Sequence, residues 1–156
     1  MEDETLVKKA RSRVLRYLTY RARSIKEVAD YLEQKGFNGN VANLVIEEMK
    51  KYGYLDDHKF ASDFVNARKM SGFGCKRVRF ELQMKGVDKE IIEEQISEIF
   101  DSGEDLFRIS ELLARREPHN GQIDRRWLNR QAGFLKRRGF QDDLILKSLK
   151  NYDLSQ

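Results

Sequence analysis

The chain has 156 residues, 40% of them hydrophobic and 36% charged, with a single proline, tryptophan and cysteine. Such a composition fits a soluble helical protein with a thin core; Cys75 alone cannot form an internal disulfide, and no apolar run approaches the roughly 20 residues that span a bilayer. Lys and Arg number 30 against 26 Asp and Glu, a formal charge of +4, so the distribution of charge carries more information than its sum.

The opening stretch MEDETLVKKARSR is charged throughout and holds no apolar signal segment, from which a cytoplasmic setting is expected. Val7, Ala10, Val14 and Leu18 then recur at helical spacing and predict a helix over 5–22. Ser24 and Glu27 have capping-box spacing, which starts a second helix that runs through Val28 and Leu32 to Gly36. A third, over 40–51, is predicted to bury Val41, Leu44, Val45 and Met49 and to stop at Gly53. Asp56 or Asp57 caps a fourth, with Phe60, Phe64 and Ala67 as its apolar stripe, and Ser71-Gly72-Phe73-Gly74 ends it. Further helices are predicted over 75–85, 89–100, 104–117, 124–138 and 142–152, nine in all with no strand.

The junctions LEQKGF at 32–37, LQMKGV at 82–87 and LKRRGF at 135–140 resemble one another, and their glycines Gly36, Gly86 and Gly139 lie 50 and 53 residues apart. Apolar residues stand five, six, ten and thirteen positions past each glycine: Val41, Ile91 and Leu144; Ala42, Ile92 and Ile145; Ile46, Ile96 and Leu149; Met49, Ile99 and Tyr152. The expectation is an all-α, elongated array of three tandem three-helix, helix-turn-helix-like repeats over 1–53, 54–102 and 103–156, without a sheet. A unit of about 50 residues buries only a modest fraction of its surface, so each is expected to lean on its neighbour. The third copy diverges most, with Gln131 where Val28 and Val78 stand in the others.

Gly53, Tyr54, Leu55, Asp56 and Asp57, then Phe60, Ala61, Phe64 and Arg68, then Gly72, Phe73 and Gly74, and finally Leu82, Lys85, Gly86 and Val87 form a long ordered pattern. By that pattern the chain resembles the RecX family, regulatory proteins of the RecA recombinase. The likeness is specific in the middle repeat and extends to the rest in layout; Cys75 stands for a usual proline and Val78 for a usual isoleucine, both matters of packing. The resemblance implies a protein of DNA repair, homologous recombination and the SOS response that binds the RecA–DNA filament. It would restrain strand exchange, ATP hydrolysis and co-protease activity, with no catalytic residues of its own.

Asp56-Asp57-His58 could suggest a metal or acid–base site, but an aspartate ahead of an apolar-periodic helix is better read as a cap. Phe60, Phe64 and Phe80 read as core rather than as base-stacking platforms, and Tyr17, Tyr20, Tyr31 and Tyr54 as covers of core edges. The sequence offers no phosphate loop, Ser/His/Asp set or Cys/His cluster, so no enzyme activity, cofactor or metal is expected.

Charge is more telling. Residues 88–105 hold eight acids and only Lys89 as a base, whereas 115–138 hold eight bases. Lys8, Lys9, Arg11, Arg13 and Arg16 cluster on the first helix. Arg68, Lys76, Arg77, Arg79, Arg125, Arg126, Arg130, Arg137 and Arg138 are the candidates for contact with acidic filament surface or DNA phosphate, single- or double-stranded. The acidic third helix of the middle repeat is expected to face basic filament residues, and the protein to act as a monomer away from membranes. A rival reading takes residues 24–54 as the helix-turn-helix of a sequence-specific transcriptional regulator; a repeat scaffold for an unrelated protein is a third.

Overall fold

The computed structural model describes residues 2–152, and among them are nine helices and no strand: α1 (Glu2–Tyr20), α2 (Ile25–Gln34), α3 (Gly39–Lys51), α4 (Asp57–Met70), α5 (Cys75–Met84), α6 (Lys89–Ile99), α7 (Ser102–Arg115), α8 (Arg125–Arg137) and α9 (Asp142–Leu149). Local chemistry sets the starts. The capping box is complete, because Ser24 Oγ accepts from Glu27 N at 3.1 Å while Glu27 Oε1 accepts from Ser24 N at 3.0 Å. Asn38, Asp101 and Asp124 accept from the third amide of α3, α7 and α8. Asp56 is the cap of α4, since its Oδ1 accepts from His58 N and Lys59 N; α7 begins two residues earlier than predicted because Asp101 caps it.

Three junctions share one hydrogen-bond pattern. Phe37 N donates to Leu32 O, Val87 N to Leu82 O and Phe140 N to Leu135 O, at 3.1, 3.2 and 3.2 Å. The glycine before each has φ of +89°, +76° and +92°, a left-handed turn that a side chain would strain. The apolar positions that follow are buried or half-buried in all three copies.

The residues fall into two compact units: those up to Asp63 with Leu82–Ile92, and Phe64–Glu81 with those from Glu93 on. The division passes through α4, α5 and α6. In unit 1, α1, α2 and α3 enclose Ala10, Val14, Val28, Leu32, Val45 and Met49. Tyr17 and Tyr31 stack in parallel at 4.0 Å between ring centres, joining α1 to α2. In unit 2, Ile109, Leu113, Trp127, Leu135, Phe140, Leu144 and Ile145 form the core. Gln131, in the place of a valine, is buried there and accepts from Arg116 Nε at 2.5 Å, while Arg116 O accepts from Trp127 Nε1 at 3.0 Å; the polar substitution therefore carries its own partner.

Several apolar expectations are corrected. Leu44 is exposed, because the buried stripe of α3 runs through Val41, Ala42, Val45, Ile46 and Met49 and leaves it on the far side. On α4 the buried residues are Phe60, Ala61 and Val65, with Phe64 half-buried and Ala67 exposed at the stripe's edge. Phe80 is 60% exposed, about opposite the Cys75, Val78 and Leu82 stripe of α5. Tyr20 and Tyr54 are also exposed, whereas Tyr17 and Tyr31 do cover a core edge.

Each unit contains a joint between a helix start and a glycine junction, and the two joints occupy equivalent positions of the repeat. In unit 1, Ser24 Oγ donates to Lys85 O at 2.6 Å, Ile25 N donates to Asp57 Oδ1 at 2.9 Å, and a side chain on Gly86 would collide with Lys26. In unit 2, 50 residues on from Ser24, Gly74 N donates to Arg138 O at 2.8 Å and Lys76 N to Gly139 O at 2.9 Å. The unpaired amides at the start of α5 are thus satisfied by carbonyls at the end of α8.

Candidate functional site

The candidate cations divide by their partners. Arg68 pairs with Glu81 at 2.5 Å and lies 3.9 Å over the Phe73 ring, with its Nε buried and unpartnered. Arg77 pairs with the same Glu81 at 2.9 Å, donates to Arg137 O at 3.2 Å and stands 4.6 Å from the Phe73 centroid. Arg138 approaches that ring to 4.6 Å and donates to Ser71 O at 3.0 Å. Phe73, the middle residue of the Gly-Phe-Gly break, therefore gathers three guanidinium groups, and Glu81 offsets two of them. Arg79 makes a 2.6 Å pair with Glu93, and Lys76 a longer, open one of 3.6 Å with Asp142.

Arg125, Arg126, Arg130 and Arg137 differ. All four are exposed on α8, whose inner face buries Trp127, Gln131 and Leu135, and none has an ion-pair partner among the described residues. Arg137 and Lys136 also line an open groove of about 450 Å³ in unit 2 with Lys76, Arg77, Phe80 and Glu81. A ring exposed among cations offers apolar contact beside charge, a role invisible to a reading that placed Phe80 in the core.

Part of the acidic run is internal. Asp105 is buried and pairs with Arg108 at 2.7 Å; burial pushes its carboxyl above the ordinary range in spite of that partner. Arg108 also donates to Lys69 O at 2.7 Å and Phe73 O at 2.5 Å, while Lys69 Nζ donates to Ile99 O at 2.7 Å and pairs with Glu104 at 2.9 Å. These contacts clamp the start of α7 to the end of α4. Asp88, Glu90, Glu94 and Glu98 are the exposed members of the run on or beside α6. Sequence reasoning missed Lys69 and Arg108 because their partners Ile99 O, Glu104, Lys69 O and Phe73 O lie 30 to 39 positions away, and missed the gathering at Phe73 because Arg138 reaches it from the end of α8. The one signal for Phe73 is its place between two glycines.

Of the basic cluster on α1, Arg11 is taken up by Glu48, with Nε and Nη2 at 2.6 and 2.9 Å from the two carboxylate oxygens, and holds that carboxyl below its usual range. Cys75 is buried, and burial raises its thiol. Among the described residues, no group of three His, Cys, Asp or Glu side chains could hold a metal ion, and no helix is long and apolar enough to cross a membrane.

Family models for the first and second three-helix domains of RecX match residues 10–49 and 56–95. The regulatory protein RecX of Trichlorobacter lovleyi is 36% identical over 136 residues, which cover 84% of this chain and 87% of that protein. The chain belongs to the RecX family. RecX of Legionella pneumophila is 32% identical over 143 residues, covering 91% and 93% of the two chains. RecX of Bacillus licheniformis is 35% identical over 150 residues, and there the chain spans only 56% of the relative's length. The crystal structure of RecX from Lactobacillus salivarius matches with a TM-score of 0.80 at 24% identity, over 97% of this chain and 99% of that one, a likeness of fold. In RecX terms α1–α3 and α4–α6 correspond to the first and second domains, and the relatives carry the name of regulatory proteins.

Proposed function

We propose that this RecX-family chain regulates the RecA recombinase by binding the RecA–DNA filament, and that it restrains strand exchange, ATP hydrolysis and co-protease activity without a catalytic group of its own. The observation that carries this reading is the row of unpaired arginines on α8, Arg125, Arg126 and Arg130, continued by Lys136 and Arg137 into the groove beside Phe80. Cations with no carboxylate partner among the described residues are open to an external anion, either acidic filament surface or DNA phosphate. Three repeats over 1–53, 54–102 and 103–156 would spread such contacts along the chain, and the exposed acids about α6 would meet basic filament residues. Lys76, Arg77, Arg79 and Arg68 would act through the shape of the middle repeat, and Arg138 through its joint with that repeat, since each already has a partner or an aromatic ring.

A ligand shifts a filament between states only by its difference in affinity for them, and about 1.4 kcal/mol of difference changes the populations tenfold. The test is RecA ATPase and strand exchange on single-stranded DNA with the purified protein added below filament stoichiometry. Inhibition is expected, weakened when Arg125, Arg126 and Arg130 are replaced together by Glu. No inhibition, with tight binding to one defined duplex instead, would favour the transcriptional-regulator reading. Against that reading stands α4, a capped helix that follows α2 and α3 where a winged helix-turn-helix would continue with strands.

A further inference from the structure

On unit 1, α1 and α2 border a second groove, of about 350 Å³, lined by Lys9, Ser12, Arg13, Arg16 and Tyr31. Lys9, Arg13 and Arg16 share one face of α1, adjacent to the buried Ala10 and Val14, and all three are exposed. None has a carboxylate partner among the described residues, whereas Arg11, on the far side of α1, is committed to Glu48. No acidic side chain lines the groove. Its wall is fixed: Tyr31 stacks on Tyr17, whose ring lies 3.9 Å from the Arg23 guanidinium, and Lys35 approaches the Tyr31 ring at 5.7 Å. One face of the Tyr31 ring is thus covered by Tyr17, so its hydroxyl, and not base stacking, is what it can offer the groove.

Every polar side-chain group of this lining can donate: one ammonium, two guanidinium groups and two hydroxyls. A site of donors with three positive charges and no acid is complementary to an oxyanion. From Lys9 to Arg16 the helix rises about 10 Å, longer than one phosphate, so the row suits successive groups of a polyanionic chain. We propose that this groove is a nucleic-acid subsite that holds the phosphodiester backbone of a single strand, with Lys9, Arg13 and Arg16 as phosphate contacts and the Ser12 and Tyr31 hydroxyls as hydrogen-bond donors. The site makes no use of base edges, so it binds without sequence preference. It goes beyond the recombinase reading and does not depend on it, because it belongs to unit 1, whereas the α8 arginines belong to unit 2, and needs no recombinase to be occupied.

The test uses the whole chain, no recombinase, and a fluorescent oligothymidine of about 20 nucleotides, whose anisotropy is followed across a salt series, with a duplex of equal length as a second arm. Releasing counterions from three single-strand phosphates contributes a slope of about −2 in log K against log salt. The joint variant Lys9→Ala/Arg13→Ala/Arg16→Ala should reduce the slope by about that amount and weaken binding at low salt by at least about tenfold. Tyr31→Phe, which keeps the stack and removes only the hydroxyl, should weaken it several-fold, and inorganic polyphosphate should compete. All four positions are exposed or half-buried, and circular dichroism checks that the fold is intact. An unchanged slope in the joint variant overturns the proposal, as does binding abolished by the Arg125, Arg126 and Arg130 replacement alone. Stronger retention of the duplex than of the single strand overturns the assignment to single strands. Inhibition of RecA by the α1 variant, with strand binding lost, would uphold this site and the recombinase reading separately.

Discussion

Replacing Gly74 by Ala should open the joint of unit 2. A methyl at this position would lie 2.6 Å from Gly139 C, Gly139 O and Phe140 N, all backbone atoms with no flexible tip to yield. To reach ordinary contact the two segments must part by roughly 0.8 Å in a close-packed interior. Added to the 2.8 and 2.9 Å bonds Gly74 N to Arg138 O and Lys76 N to Gly139 O, that separation carries both to about 3.6 Å, where they no longer count as hydrogen bonds. Two lost bonds cost about 1 kcal/mol each, and overpacking relieved in part by movement adds about 1 kcal/mol or more, so the expected loss is about 2–4 kcal/mol. For a chain of this size that lowers Tm by about 5–15 °C. Trp127, buried in unit 2 with its Nε1 bonded to Arg116 O, is the chain's single tryptophan, so its fluorescence in a thermal melt follows the unit in question. Two companions calibrate the result. Gly39→Ala, in open space at the start of α3 without a positive φ, should change stability by less than about 0.5 kcal/mol. Gly36→Ala, also in open space but at φ +89°, should lose about 1–2 kcal/mol from backbone strain alone. A Gly74→Ala melt within about 1 °C of the parent would refute the joint as a stabilising contact.

Other consequences are smaller and independent. Glu27 pairs with Arg21 and, at 3.6 Å, with Lys85; burial raises its carboxyl, but Arg21, the Ser24 amide and Lys85 together bring it below its ordinary value. Glu27→Gln keeps a capping-box side chain and removes the charge, so it should cost about 1–2 kcal/mol in urea melts at pH 7. Because the folded pKa is depressed, that difference is present above the ordinary glutamate range and should vanish as pH falls through the folded pKa. Phe80→Ala should alter stability by less than about 0.5 kcal/mol, whereas Phe140→Ala, with the ring at 1% exposure, should cost about 3–5 kcal/mol by chemical denaturation. Cys75, buried and with its thiol raised by burial, should react with iodoacetamide roughly tenfold or more slowly in the native protein than in urea, as followed by mass spectrometry.

Periodicity and punctuation were enough to read nine helices, the cap at Ser24, a cap at Asp56 or Asp57 and the three glycine junctions, because each depends on residues within one or two turns of one another. The basic character of α8 was legible for the same reason. Which arginines remain free was legible only in part: Arg77 and Glu81 stand four apart on α5, a spacing visible in the sequence, but Arg68 meets Glu81, Arg79 meets Glu93 and Lys76 meets Asp142 only once separate helices are folded together. Nor could a stripe rule place Leu44, Phe80, Tyr20 or Tyr54, since a helix's period says which residues share a face and not how wide a face its neighbours will cover.

The order of residues alone therefore determined the all-α class, the tandem junctions and the resemblance that led to RecX, all consequences of short-range backbone and capping chemistry. Tertiary structure decided the rest: the joints in which a carbonyl from one junction satisfies the start of an earlier helix, the three guanidinium groups around Phe73, and the division of the cations into paired and free. Most of those outcomes depend on contacts between groups on different helices, whose meeting is fixed by packing and leaves no local trace in the chain.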